Sequence, residues 1–191
     1  MKTVNFRNNP PDVYAAVEPS ANDYAFHRWC EHLFLLNKML YGQTTLDAYY
    51  LRAYITTLYE LSKDGMEYAE KHKDDIPQDS RYELLINMMT EILALLSDDE
   101  YLMLKYFRDV NCHIFTFNYN YYNKDDNLKT KSMKSYTKDG QPYCISASEF
   151  MNKAVAVLGT TQYGELNFKK KLIQMFYPII CNYEKLFAES K

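Results

Sequence analysis

Apolar side chains recur at steps of three and four residues along most of this 191-residue chain, which is the period of an amphipathic helix. The clearest example is the segment 97–117, where Met103, Phe107, Val110 and Ile114 fall on one helical face. The same period predicts helices over about residues 22–41, 45–73, 80–96, 98–115, 147–159 and 164–188. The chain is therefore expected to form an all-α, antiparallel helical bundle of about five to six helices.

Local signals predict where several of these helices begin and how they are joined. A serine followed three residues later by glutamate, the spacing of a capping box, occurs at Ser80, Ser97 and Ser146. The connection around Ser97 is very short, so the helices on either side of it are expected to form an antiparallel helical hairpin. Pro178 is expected to kink the last helix, because proline lacks a backbone donor.

A polar insertion at about 116–146 interrupts the helical pattern. Its beginning alternates aromatic and polar side chains over 115–122, which fits either a strand or the frayed end of the preceding helix. An Asp-Gly turn signal at 139–140 then predicts a β-hairpin with strands near 132–137 and 142–146. The fold is thus expected to carry a small irregular or β-hairpin insertion.

Length and composition favour one helical domain over residues 21–191, after an N-terminal arm, 1–20, in which Pro10, Pro11 and Pro19 oppose a helix. No apolar run is long enough to cross a membrane, and the N-terminus has no signal-peptide pattern. The four cysteines are scattered without a CxxC pair, which is typical of free thiols in a reducing compartment. The predicted location is therefore the cytoplasm, with no membrane contact.

The formal net charge of −3 gives no overall basic field to attract nucleic acid. Any RNA contact must come from a local patch, and the insertion is the most basic stretch of the chain. Its candidate RNA-binding residues are Lys124, Lys129, Lys131, Lys134 and Tyr136, and Lys138 adds to the same charge. Lysine can meet phosphates and an aromatic ring can stack on a base. An exposed loop that its lysines merely keep soluble fits the pattern equally well.

Arg108, Asp109 and His113 place a cation, a carboxylate and an imidazole in an otherwise apolar helix. Asp109 and His113 are four residues apart, so they share a helical side and can hydrogen-bond. Such a bond fixes the tautomer of the imidazole and raises its basicity. Arg108 is turned from His113 by roughly 140°, so both side chains meet only if two copies face each other across a dimer axis. The alternative is an arginine on a solvated edge and a histidine at a polar helix end.

Residues 108–113, RDVNCH, resemble the R-x4–6-H motif of the HEPN family (higher eukaryotes and prokaryotes nucleotide-binding domain), most strongly over about 80–117. The resemblance implies a dimeric helical bundle that, in many members, cleaves RNA without a metal in toxin or defence systems. It assigns Arg108 as a phosphate clamp, His113 as the acid and base, and Asp109 as the residue that orients His113.

No cofactor or metal site is predicted, because the His and Cys residues lack paired ligand spacing. Some HEPN members have no catalytic activity. The alternative is therefore a non-catalytic helical protein-interaction module, either antitoxin-like or inhibitor-like.

Overall fold

Helices dominate the computed structural model of the chain, which describes residues 21–78, 80–112 and 132–188. The helices are α1 (Ala21–Leu40), α2 (Ala48–Glu60), α3 (Met66–Lys71), α4 (Arg81–Ala94), α5 (Asp98–Cys112), α6 (Ala147–Leu158), α7 (Gly164–Asn182) and α8 (Lys185–Ala188). A π-helical turn, Leu61–Gly65, joins α2 to α3, and a 3-10 turn, Lys73–Asp75, follows α3. The predicted all-α bundle with a small hairpin insertion is confirmed.

Serine caps begin three of these helices, as the sequence predicts. Ser80 Oγ accepts a hydrogen bond from the backbone N of Glu83 at 3.1 Å, and Ser146 caps α6 in the same way. At the start of α5 the arrangement is reciprocal: Glu100 N donates to Ser97 Oγ at 3.2 Å, and Ser97 N donates to the Glu100 carboxylate at 2.9 Å. These bonds satisfy backbone donors that a first helical turn leaves without an intrahelical partner.

The apolar faces of the helices meet in one continuous core. Side chains with no exposed surface are contributed by α1, α2, α4 and α7, for example Leu33, Ile55, Met88 and Phe176. α2 packs against α1 and α5, and α7 packs against α1, α4 and α6. Phe107 of the predicted apolar face of α5 is buried in the same core, so the helix that carries the Arg108 motif is anchored from within.

Two details of the helical layout differ from the prediction. α5 packs mainly against α2 and α6, whereas α4 packs mainly against α7 and α1, so the short link at Ser97 does not produce the expected helical hairpin. The last predicted helix is divided, because α7 runs through Pro178 to Asn182 and α8 begins at Lys185. The kink at Pro178 stays a prediction. Proline removes one backbone donor, and the helix continues for one further turn before it ends.

A two-stranded antiparallel sheet forms the predicted hairpin, with β1 (Ser132–Tyr136) paired to β2 (Pro142–Ser146). Gly140 has a φ of +78°, the left-handed conformation that glycine adopts without strain, and it closes the predicted Asp-Gly turn. Lys138 in the turn donates from Nζ to the backbone oxygen of Leu96 at 3.0 Å. The tip of the hairpin is thereby attached to the beginning of α5.

All four cysteines lie in the described ranges, and all are free thiols. Cys30 is fully buried in the core, and this burial raises the pKa of its thiol.

Within residues 21–78, 80–112 and 132–188, no three His, Cys, Asp or Glu side chains are grouped as metal ligands would be. Nor is any helix in those ranges both long and apolar enough to span a membrane.

Candidate functional site at the end of α5

Arg108 lies in the last turns of α5 and reaches across to α2. Its Nε donates to Glu60 Oε1 at 2.5 Å, and its Nη2 pairs with the same carboxylate oxygen. Its Nη1 donates to Asp109 Oδ1 at 2.9 Å. The guanidinium carbon is also 5.4 Å from the ring centroid of Tyr59, within the range of a cation–π contact. Two carboxylates and one aromatic ring therefore hold the guanidinium in place.

Burial makes this pairing necessary. The Arg108 side chain is only 24% exposed, and those of Glu60 and Asp109 are comparably shielded. Burial alone would lower the pKa of Arg108, but its hydrogen bonds with Glu60 and Asp109 raise that pKa instead. Charges in such a position are stable only when they are paired. Arg108 thus belongs to a part-buried ion network and does not lie on a solvated edge.

Asp109 is the second centre of this network. Its Oδ2 accepts from Lys105 Nζ at 2.6 Å, and its Oδ1 accepts from Arg108. Both carboxylate oxygens therefore bind cations of α5 itself. His113 lies outside the described residues, so the hydrogen bond between Asp109 and His113 stays a prediction.

The structure describes only some of the predicted RNA-binding residues. Lys124, Lys129 and Lys131 lie outside the described residues, and Lys134 is described by its backbone alone, opposite Cys144 in the hairpin. Tyr136 is half-buried and lines a groove of about 1140 Å³ together with Tyr101 of α5. Tyr101 precedes Arg108 by about two helical turns, or roughly 10 Å of axial rise. Tyr136 of the hairpin therefore lies near the beginning of α5, whereas Arg108 lies near the end of that helix.

A separate cavity of about 510 Å³ lies on the Arg108 side of the bundle, bounded by α1, α2 and the π-helical turn. Its lining residues are Ala25, Phe26, Trp29, Thr56, Glu60, Leu61, Asp64, Gly65 and Tyr68. Glu60 therefore belongs both to this cavity and to the Arg108 network. Thr56 Oγ1 is 4.0 Å from Cys112 Sγ, at the last residue of α5. The cavity thus adjoins the end of the helix from which the chain continues to His113.

Three residues of this site were not predicted from the sequence. The contact between Lys105 and Asp109 could have been predicted, because Lys105 precedes Asp109 by four residues on the same helix. Glu60 and Tyr59 had none, because they belong to a different helix and only the packing of α2 against α5 brings them to Arg108. Partners that are distant along the chain leave no local pattern in a single sequence.

Replacing Glu60 by glutamine is expected to lower the free energy of unfolding by about 1–2 kcal/mol. The change leaves the part-buried Arg108 with a neutral partner, and hydrogen bonds to charged groups contribute about 1.5–3 kcal/mol. Urea denaturation of the wild type and of Glu60→Gln measures the difference.

The matched control is Glu70→Gln, which makes the same chemical change in a surface ion pair with Lys73. No measurable loss of stability is expected there, because exposed ion pairs contribute little. Equal stability of Glu60→Gln and the wild type would show that Asp109 alone suffices to compensate Arg108.

Comparison of the chain with protein-family models, with curated proteins and with solved structures finds no match. The functional interpretation therefore depends on the residues of the chain and on their geometry. The resemblance to the HEPN family, strongest over about residues 80–117, stays a prediction.

Proposed function

We propose that this chain is a HEPN-like, metal-independent endoribonuclease that acts as a homodimer in the cytoplasm, in a toxin or phage-defence system. The observation that supports the proposal best is the fixed position of Arg108, held by Glu60, Asp109 and the ring of Tyr59. A cation that is oriented before the substrate arrives stabilises charge in a transition state without further reorganisation. Arginine is suited to this role, because it stays charged and can bind two phosphate oxygens at once.

In the proposed reaction, His113 removes the proton from an RNA 2′-hydroxyl, whose oxygen attacks the adjacent phosphorus. The bond from phosphorus to the 5′-oxygen breaks, and a histidine returns a proton to that leaving oxygen. Arg108 stabilises the negative charge that develops on the phosphoryl oxygens. The products are a 2′,3′-cyclic phosphate and a free 5′-hydroxyl, so that atoms and protons balance without a metal or cofactor.

Two copies are required in this mechanism. The helical period predicts that Arg108 and His113 of one copy are turned apart by roughly 140°, so in this proposal Arg108 of one copy acts with His113 of the other across a two-fold axis. Glu60 and Asp109 compete with the RNA phosphate for the guanidinium. Substrate binding is therefore expected to exchange one of these carboxylates for phosphate oxygens.

Purified protein is expected to cleave a labelled RNA pool in the presence of EDTA and to leave 2′,3′-cyclic phosphate ends. The reason is that a reaction driven by histidine and arginine needs no divalent ion. Gel electrophoresis and mass spectrometry of the products measure cleavage and identify the new ends. Cleavage that EDTA abolishes, or products with 5′-phosphate ends, would contradict this mechanism.

A second candidate function is a non-catalytic, antitoxin-like or inhibitor-like protein-interaction module. It is favoured by α6, which has no fully buried residue and leaves Met151 59% exposed, with the exposed Val155 one turn further along the same face. Apolar side chains on an exposed helical face can bind a protein partner. A module of this kind is expected to bind its partner equally well with His113→Ala, and no RNA cleavage is expected from the wild type.

A further inference from the structure

The cavity bounded by α1, α2 and the π-helical turn has aromatic walls. Phe26, Trp29 and Tyr68 line it, and Trp29 remains 42% exposed although it is a large apolar side chain. At about 510 Å³ the cavity falls within the range of small-molecule sites, ~300–1000 Å³. Aromatic ring faces carry partial negative charge and attract cations.

The charged side chains of the same cavity are both acidic. Glu60 and Asp64 line it, and no lysine or arginine of the described residues does so. Lys63 pairs with Asp64 but lines the other groove, on the opposite side of the π-helical turn. The hydrogen bond with Asp64, with further contributions from Glu67 and Glu60, raises the pKa of Lys63. The acidic side chains near this turn thus favour a positive charge at Lys63.

The ion pairs that Asp64 and Glu60 already form leave both residues accessible from the cavity. The pair between Asp64 and Lys63 is solvent-exposed, and pairs of that kind are weak and readily exchanged. Glu60 binds Arg108 and is also one of the residues that line the cavity. A cationic ligand in the cavity would therefore be attracted by both Asp64 and Glu60.

The π-helical turn itself shapes the cavity. π-helical turns within α-helices occur frequently at functional sites, and this turn carries Leu61, Asp64 and Gly65 into the lining. A Cβ atom at Gly65 would be 2.8 Å from the ring of Phe26. Glycine thus allows the aromatic wall to approach the backbone closely, and a larger residue would push the ring out of position.

We propose that this cavity is a binding site for a quaternary or alkylated ammonium group, held over Trp29 between Phe26 and Tyr68 and attracted by Asp64 and Glu60. Such a group combines positive charge with an apolar surface, and the cavity supplies carboxylates and aromatic faces to match both. The site does not depend on the proposed ribonuclease activity.

Choline is the probe that tests this site, and Trp29 is its reporter because it is the only tryptophan of the chain. Choline is expected to change the fluorescence of Trp29 saturably and to show upfield-shifted methyl resonances from the aromatic rings. The neutral isostere 3,3-dimethylbutan-1-ol, measured at the same ionic strength, is expected to bind at least about tenfold more weakly. Equal binding of both compounds, or no saturable change in either signal, would overturn the proposal.

Two variants remove the same charge at different places. Asp64→Asn is expected to weaken choline binding by about fivefold or more, because it removes a negative charge from a residue that lines the cavity. Asp74→Asn, in the exposed 3-10 turn outside the cavity lining, is expected to leave binding unchanged. Gly65→Ala tests the shape of the site with all charges intact, and it is expected to weaken binding as well. Identical binding by Asp64→Asn and Asp74→Asn would overturn the site.

The ammonium group can belong to a free small molecule or to a methylated lysine side chain. A peptide that carries trimethyllysine and the same peptide with unmodified lysine distinguish these sources. Tighter binding of the methylated peptide than of choline assigns the site to a protein side chain. Tighter binding of choline assigns it to a free molecule.

Discussion

Cleavage of RNA is expected to fall by about 10²–10⁴-fold when His113 is replaced by alanine, because general acid–base catalysis contributes that much. The variant should keep the helical circular dichroism of the wild type, because alanine has the highest helix propensity. Single-turnover cleavage rates in EDTA, measured at equal protein concentrations, give the ratio. The matched control is His32→Ala, an exposed histidine of α1, for which no change in rate is expected.

Arg108→Lys is expected to lower the rate of RNA cleavage by a comparable factor. That result would identify Arg108 as the second functional residue of the motif. Lysine keeps the positive charge but cannot bind two phosphate oxygens in the planar geometry of a guanidinium. It also retains a cation for Glu60 and Asp109, so the variant separates catalysis from stability better than Arg108→Ala does. Cleavage at the wild-type rate by both His113→Ala and Arg108→Lys would refute the proposed site.

Mixed dimers test whether the site is shared between two copies. A dimer of one His113→Ala subunit and one Arg108→Lys subunit has one site with both functional residues and one site with neither. When equal amounts of the two inactive variants are mixed and exchange subunits at random, about half of the dimers are mixed, so about a quarter of the wild-type activity is expected to return. If Arg108 and His113 act within one subunit, the mixture stays inactive.

More of the fold than of the candidate site could be predicted from the sequence. Helical periodicity, the serine caps at Ser80, Ser97 and Ser146, and the Asp-Gly turn at 139–140 are local features, and local interactions determine the elements that they predict. Which helices pack together depends on contacts across the whole chain. The short connection at Ser97 therefore suggested an α4–α5 pair, whereas the core places α5 against α2.

The candidate site shows the same division between local and distant information. The charged residues of the motif could be found from the sequence because they are adjacent on one helix. The Glu60 carboxylate that holds Arg108, and the Trp29 cavity beside it, depend on the packing of α1, α2 and the π-helical turn. Arg108, predicted as a phosphate clamp, is bound in this structure by two carboxylates, one of them from another helix. This pairing makes exchange of Glu60 or Asp109 for phosphate part of the proposed mechanism.

Replacing Phe176 by alanine is expected to lower the free energy of unfolding by about 3–5 kcal/mol, the usual cost of truncating a fully buried phenylalanine. Phe176 has no exposed surface and belongs to the single core that includes side chains of α1, α2, α4, α5 and α7. A loss of this size is a large part of the roughly 5–15 kcal/mol that stabilises a typical domain. Urea denaturation, followed by circular dichroism and by the fluorescence of Trp29, measures it.

Leu166→Ala is the control for Phe176→Ala, because Leu166 lies on the same helix but is exposed. Only a small change in stability is expected there. Because Phe176 is in α7 and Trp29 is in α1, a single cooperative core predicts that both probes shift to the same lower urea concentration in Phe176→Ala. Separate transitions would show that α1 unfolds independently of α7. In that case the packing of the core would not be enough to keep the shape of the cavity lined by Trp29, and a bound ligand would be needed as well.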